Sequence, residues 1–193
     1  MTISKDLYLA ILSMDAYNRE YGAGIELGGD TSIGESTIID RQLVGIGREQ
    51  YDAWQAAGFY AIAYDTPYGT VISYRGTDFT PAEDFAADQT EGWPLGAGNV
   101  LKEQTRLAAD FLDAVQPDDS AKSVILTGHS LGGGLAGFQG RIYGNEAIVF
   151  DPMTYLRSAE NLFEILRTNP SHDAANAHIA LRRDRSFCER VAA

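Results

Sequence analysis

The chain has 193 residues, a formal charge of −12 with histidine neutral, 45% hydrophobic and 22% charged residues. That is the balance of an ordinary globular domain with a sizeable core, and 1–193 reads as one domain. The acidic excess argues against nucleic acid and anionic membrane surfaces as electrostatic partners, and no apolar run reaches the roughly 18 residues of a membrane-spanning helix. The N-terminus lacks the basic and apolar regions of a signal peptide, so the expectation is a cytoplasmic protein or one exported by a non-classical route. A lone cysteine, Cys188, excludes an internal disulfide, and the chain offers no Cys/His cluster for a metal.

Ser4 to Tyr17 reads as an amphipathic helix capped by Ser4, with Leu7, Ala10, Ile11 and Met14 at helical spacing. Asn18 to about Gly47 is rich in Gly, Ser, Thr and Asp and reads as irregular covering structure. Gly58–Tyr64 and Thr70–Arg75 are strand-like and joined by the turn-forming run Asp65-Thr66-Pro67-Tyr68-Gly69, which predicts an antiparallel hairpin. Val100 to Val115 is helical, with Leu101, Leu107, Ala108, Phe111, Leu112 and Val115 inward, and the run 116–120 breaks it. A strand at 124–127, a helix from Leu131 to Tyr143 and a strand at Ala147–Phe150 then form a β-α-β unit. Its strands are almost wholly apolar, as a parallel sheet covered on both faces requires. The order predicts an α/β-hydrolase-like three-layer sandwich, mostly parallel, with a leading antiparallel hairpin.

Within that unit lies Gly128-His129-Ser130-Leu131-Gly132. G-x-S-x-G between a strand and a helix is a nucleophile elbow, in which the sharp turn demands nearly side-chain-free flanks. The new helix offers free N–H groups and its positive end beside the serine oxygen, where a tetrahedral oxyanion needs support. Taken by itself, the five-residue pattern also fits a glycine-rich turn with an idle serine; the strand and helix flanks favour the elbow. Earlier in the chain, Tyr74-Arg75-Gly76-Thr77-Asp78 ends the second hairpin strand, and an oxyanion site takes its second donor from such a strand end.

These two motifs together resemble the class 3, fungal-type lipases of the α/β-hydrolase superfamily. The likeness runs through Arg75-Gly76-Thr77, then Glu83-Asp84-Phe85 with Asp88, then the 100–115 helix, then Gly128 to Gly133, and covers roughly 58–150. It implies a carboxylic ester hydrolase (a lipase or esterase, with phospholipase A1 activity close behind) acting on ester or lipid substrates with transient contact at a lipid interface. It also implies an oxyanion site made by Thr77 and Leu131 and a mobile lid over Phe79 to about Gly98, although a loop with a few aromatics can equally be tucked into the core.

The base and acid stay open. His129 adjoins the nucleophile and its side chain diverges from it, leaving His178, preferred, or His172. Asp151 follows the Ala147–Phe150 strand at the elbow's edge, in the context Phe150-Asp151-Pro152. The class 3 register would place the acid one strand later, at Asp184, with a histidine beyond it, and none follows His178. Either Ser130, Asp151 and His178 make a complete triad, or the chain is clipped relative to that family and is a degenerate, non-catalytic binding protein. A serine peptidase or acyltransferase on the same fold is a third reading. No cofactor is implied.

Overall fold

A computed structural model describes residues 3–19, 32–77, 82–100, 102–116 and 124–168. Six strands form one sheet in chain order: β1 (Ser32–Ile33), β2 (Ser36–Ile39), β3 (Ala61–Thr66), β4 (Gly69–Tyr74), β5 (Val124–His129) and β6 (Ala147–Phe150). β1 to β4 pair antiparallel, while β4–β5 and β5–β6 are parallel. The α/β class and the leading hairpin stand. The parallel part is smaller than expected, however, because 32–39 is not irregular: its two short strands extend the sheet beyond β3.

Runs of consecutive buried residues, 71–76 and 124–128, mean that the central strands are covered on both faces. The covering helices are α1 (Lys5–Asn18), packed on β4, β5 and β6, and α5 (Leu131–Tyr143), packed on the same three strands. Ser4 caps α1 by accepting from the Leu7 amide at 3.2 Å. The inward face of α1 is Tyr8, Leu9, Leu12, Ser13, Asp15 and Ala16, whereas Leu7 is 52% exposed. The helix therefore turns inward a second apolar stripe, Tyr8, Leu9, Leu12 and Ala16, instead of the one through Leu7, Ala10, Ile11 and Met14, and carries a carboxylate into the core with it. Asp15 has 0% exposure, receives the Arg19 Nε–H at 3.0 and 3.1 Å, and accepts the Tyr64 hydroxyl proton at 2.7 Å.

Two further helices are not foretold by the sequence patterns. α2 (Arg48–Ala56) carries Trp54 into the core, edge-on to Phe59 at 5.1 Å and Phe111 at 5.2 Å. α6 (Leu156–Thr168) follows β6 and buries Ala159 and Leu162. α4 (Glu103–Val115) lies as expected, with Leu107, Ala108, Phe111 and Leu112 buried.

The described part of the expected lid is fastened down. It comprises α3 (Ala82–Ala87), a π turn at Asp88–Gly92 and a 3₁₀ turn at Trp93–Leu95. Gln104 Nε2 donates to the buried Asp88 carboxylate at 2.6 Å and to the Ala57 carbonyl at 2.8 Å. Leu95 is fully buried, and its carbonyl accepts from Ser158 Oγ. Asn161 Nδ2 donates to the Gly98 carbonyl at 2.9 Å. Within 88–98, Asp88, Gly92 and Leu95 are buried whereas Trp93 is 39% exposed; Phe79 lies outside the described residues.

Candidate active site

Parallel strands β4, β5 and β6 end at one edge of the sheet, and ligand sites in such sheets form where strands deliver their carboxyl ends. The register pairs Tyr74 with Gly128 and His129 with Phe150. Arg75-Gly76-Thr77, Ser130 and Asp151 are thus the first residues beyond three neighbouring strand ends.

Ser130 joins β5 to α5 with φ 54° and ψ −122°, a conformation that L side chains rarely adopt and that costs about 1–3 kcal/mol. The surroundings hold it there. Its N–H donates to the Phe150 carbonyl at 3.1 Å, and its carbonyl accepts from the Gly134 and Met153 amides at 3.0 and 2.8 Å. The glycines of the pentapeptide are steric requirements. A Cβ at Gly128 would lie 2.5 Å from the Gly132 carbonyl carbon, and one at Gly132 would lie 2.1 Å from the Tyr74 carbonyl oxygen. The tight turn thereby brings the first turn of α5 against the end of β4.

On the β4 side, a Cβ at Gly76 would sit 2.6 Å from the His129 carbonyl oxygen and 2.1 Å from the Tyr17 hydroxyl. Gly76 lets the two strand ends touch, one residue before Thr77 on one side and one before Ser130 on the other. Thr77 is half-buried, and its Oγ1 accepts the Trp93 indole N–H at 3.0 Å. Leu131, the other expected oxyanion residue, is wholly buried at the first position of α5, and Gly92 packs so closely on it that a Cβ there would lie 2.5 Å from Leu131 Cδ2.

On the β6 side, Asp151 is exposed with φ 41°, directly after the carbonyl that holds the Ser130 amide. Ser130, Leu131, Thr77 and Asp151 therefore share one edge. His172, His178 and Asp184 lie outside the described residues. His129 is engaged elsewhere: its Nδ1 lies 3.1 Å from the Tyr17 hydroxyl and the two rings meet edge-on.

A phospholipase-like family model, the Tle-like phospholipase domain, matches residues 8–178, from the first turn of α1 to His178. The chain belongs to the Tle-like phospholipase family. Membership gives a lipase- or phospholipase-type protein whose family chemistry is lipid-ester hydrolysis, but does not single out the class 3 branch that the motifs resemble. No curated protein and no solved structure matches the chain.

Within this Tle-like phospholipase domain, sequence reasoning missed Tyr17 and the hydrogen bond from Trp93 to Thr77. Tyr17 is the last aromatic of α1, and its contacts with Gly76 and His129 bridge the elbow and the Thr77 strand end. Nothing local marks it, since its partners are 59 and 112 residues away in the chain. Among the described residues no group of three or more His, Cys, Asp or Glu is placed to hold a metal ion, and no helix is long and apolar enough to cross a membrane.

Proposed function

We propose that this Tle-like phospholipase domain, 1–193 folding as one unit, hydrolyses carboxylic esters of lipids through an acyl-enzyme on Ser130. The observation that carries the reading is the backbone of Ser130, held at positive φ at a strand-to-helix turn between the strand ends bearing Thr77 and Asp151. A protein sustains such local strain where the surrounding structure enforces it, and a nucleophile presented above a sheet is what this arrangement supplies.

Ser130 Oγ attacks the ester carbonyl carbon. The new C–O bond forms as the carbonyl π pair moves onto oxygen, and the hydroxyl proton passes to a histidine, His178 in preference to His172. The Leu131 and Thr77 amides face the developing oxyanion at the positive end of α5. Collapse expels the alcohol, which takes the proton from the imidazolium, and water then repeats the cycle on the acyl-enzyme. Asp151 orients the base and stabilises its charged form; Asp184, the acid of the class 3 register, lies after both histidines and would need a base beyond it. The family description favours a phospholipid over a triacylglycerol, while the class 3 resemblance supports the elbow-and-oxyanion arrangement.

The test is hydrolysis of p-nitrophenyl esters and of a phospholipid by wild type, Ser130→Ala, His172→Ala, His178→Ala and Asp151→Asn, with fluorophosphonate labelling of each. Wild type turns over and is labelled. Ser130→Ala does neither, one histidine variant matches it in turnover, and Asp151→Asn loses about 10⁴ in kcat. Turnover that survives Ser130→Ala overturns the assignment. A folded but inert and unlabelled wild type makes the chain a degenerate binding protein.

A further inference from the structure

Thr77 is held from outside the strand pair. The Trp93 indole N–H donates to its Oγ1 at 3.0 Å, and an indole nitrogen has no acceptor capacity, so the direction of this bond is settled by chemistry. A threonine hydroxyl has one proton and two acceptor sites. With one acceptor site occupied by Trp93, the proton is left to be given in another direction.

Trp93 is 39% exposed, and its indole is held on two sides, by Thr77 and by Phe85. The segment around it is tied to the body through Asp88, Leu95 and Gly98, and the Phe85 ring packs edge-on against the indole with centroids 5.7 Å apart. Its neighbour Gly92 lies directly on Leu131. One dipeptide, Gly92-Trp93, therefore touches both arms of the proposed oxyanion site.

We infer that Trp93 is a positioning residue for ester hydrolysis: it fixes the Thr77 hydroxyl as a donor, adding an O–H to the Thr77 and Leu131 amides around the oxyanion. This inference rests on the serine-hydrolase reading above. No bond to the substrate comes from Trp93 itself. Its effect lies wholly in the orientation of Thr77, and it grows as charge develops on the carbonyl oxygen. The signature is therefore a loss in kcat with KM held, and dependence on the Thr77 hydroxyl.

The experiment is steady-state hydrolysis of a p-nitrophenyl ester by Trp93→Phe, Thr77→Val, Thr77→Ser and the two double variants, with thermal unfolding of each. Trp93→Phe keeps the ring against Phe85 and removes only the N–H donor to Thr77. It lowers kcat by about tenfold at unchanged KM, part of the about 10² to 10³ that a lost oxyanion donor costs. In the Thr77→Val background the same change has no further effect, while in Thr77→Ser, which retains a hydroxyl, the tenfold loss persists. A wild-type kcat for Trp93→Phe overturns the inference, and so do losses that multiply with Thr77→Val, since either shows that the bond to the hydroxyl does not matter. If Ser130→Ala in the same assay retains turnover, the serine-hydrolase reading fails and this inference with it. If turnover depends on Ser130 but not on Trp93, only this inference fails.

Discussion

Asp15 is a carboxylate without exposure to water, in a core that a hydrophobic pattern would fill with an aliphatic side chain. Its charge is supported by the Arg19 guanidinium on the next turn, and the Tyr64 hydroxyl donates to it from β3, so the three side chains fasten α1 to the sheet. Tyr64 pays the electrostatic consequence. Burial first, and the adjacent Asp15 charge second, raise its phenol well above the ordinary value of 10.0. A group whose native pKa is raised contributes stability that is complete below its unfolded value and is lost as pH rises through the native one. The unfolding midpoint of wild type should accordingly fall from about pH 10 upward, where the unfolded chain releases the Tyr64 proton and the native state retains it. Tyr64→Phe, less stable at neutral pH for want of the hydrogen bond, should show a shallower alkaline decline when denaturant midpoints are compared across that range. Equal slopes would show that Tyr64 is not the group responsible.

The elbow is an element-scale device, made of β5, Ser130 and the first turn of α5 acting together. α5 reads Leu-Gly-Gly-Gly-Leu-Ala-Gly-Phe-Gln-Gly-Arg-Ile-Tyr, a poor helix by propensity, since each interior glycine costs roughly 1 kcal/mol against alanine. Packing compensates: the segment is buried almost throughout and lies against β4, β5, β6, α4 and α6. Gly132 is the tightest point, with the Tyr74 carbonyl where a Cβ would be. Both contacting groups are backbone, so neither can swing aside. Gly132→Ala is expected to destabilise by at least about 2 kcal/mol in urea unfolding, at the upper side of overpacking costs, and to lower ester turnover by shifting Ser130 from the Thr77 strand end. By contrast, nothing lies within 4 Å of a Cβ built at Gly47, whose φ is −79°, and Gly47→Ala should leave turnover at wild type. Full stability of Gly132→Ala would mean that β4 and α5 can separate at no cost.

At the scale of the whole molecule, the net charge of −12 bears on how a lipid substrate is met. A long-range field of this sign lowers the encounter rate with anionic surfaces, and salt screens it: the Debye length falls from about 30 Å at 0.01 M to about 8 Å at 0.15 M. Turnover on zwitterionic phospholipid vesicles should exceed that on anionic ones at low ionic strength, and the gap should narrow as salt is added. A gap unaffected by salt would assign the preference to contacts within the site instead of to the field.

The elbow could be read from the chain because everything that forces it is close in sequence. A strand, a sharp turn and a helix follow one another within twenty residues, and Gly128 and Gly132 crowd each other directly. The β3–β4 hairpin and α4 were legible for the same reason, since turn residues and apolar spacing act locally. α2 was not, because Arg48–Ala56 is mostly polar and only Tyr51 and Trp54 turn inward. α6 carried a usable signal in Ala159, Leu162 and Phe163, at helical spacing after β6. β1 and β2 are two and four residues long, too short for a pattern of their own, and become strands because β2 pairs onto β3 and β1 onto β2. α1 offers two apolar stripes, and the one through Tyr8, Leu9, Leu12 and Ala16 turns inward together with Asp15, which pairs with Arg19 and Tyr64. The sequence by itself determined the α/β class, the elbow and the strand ends that carry Thr77 and Asp151. Only the tertiary structure decided which side chains surround them: Tyr17 beside Gly76, Gly92 on Leu131 and Trp93 on Thr77. The physical reason is that a hydrogen bond or close contact between distant segments is specified by how helices seat on the sheet, and no local pattern encodes that.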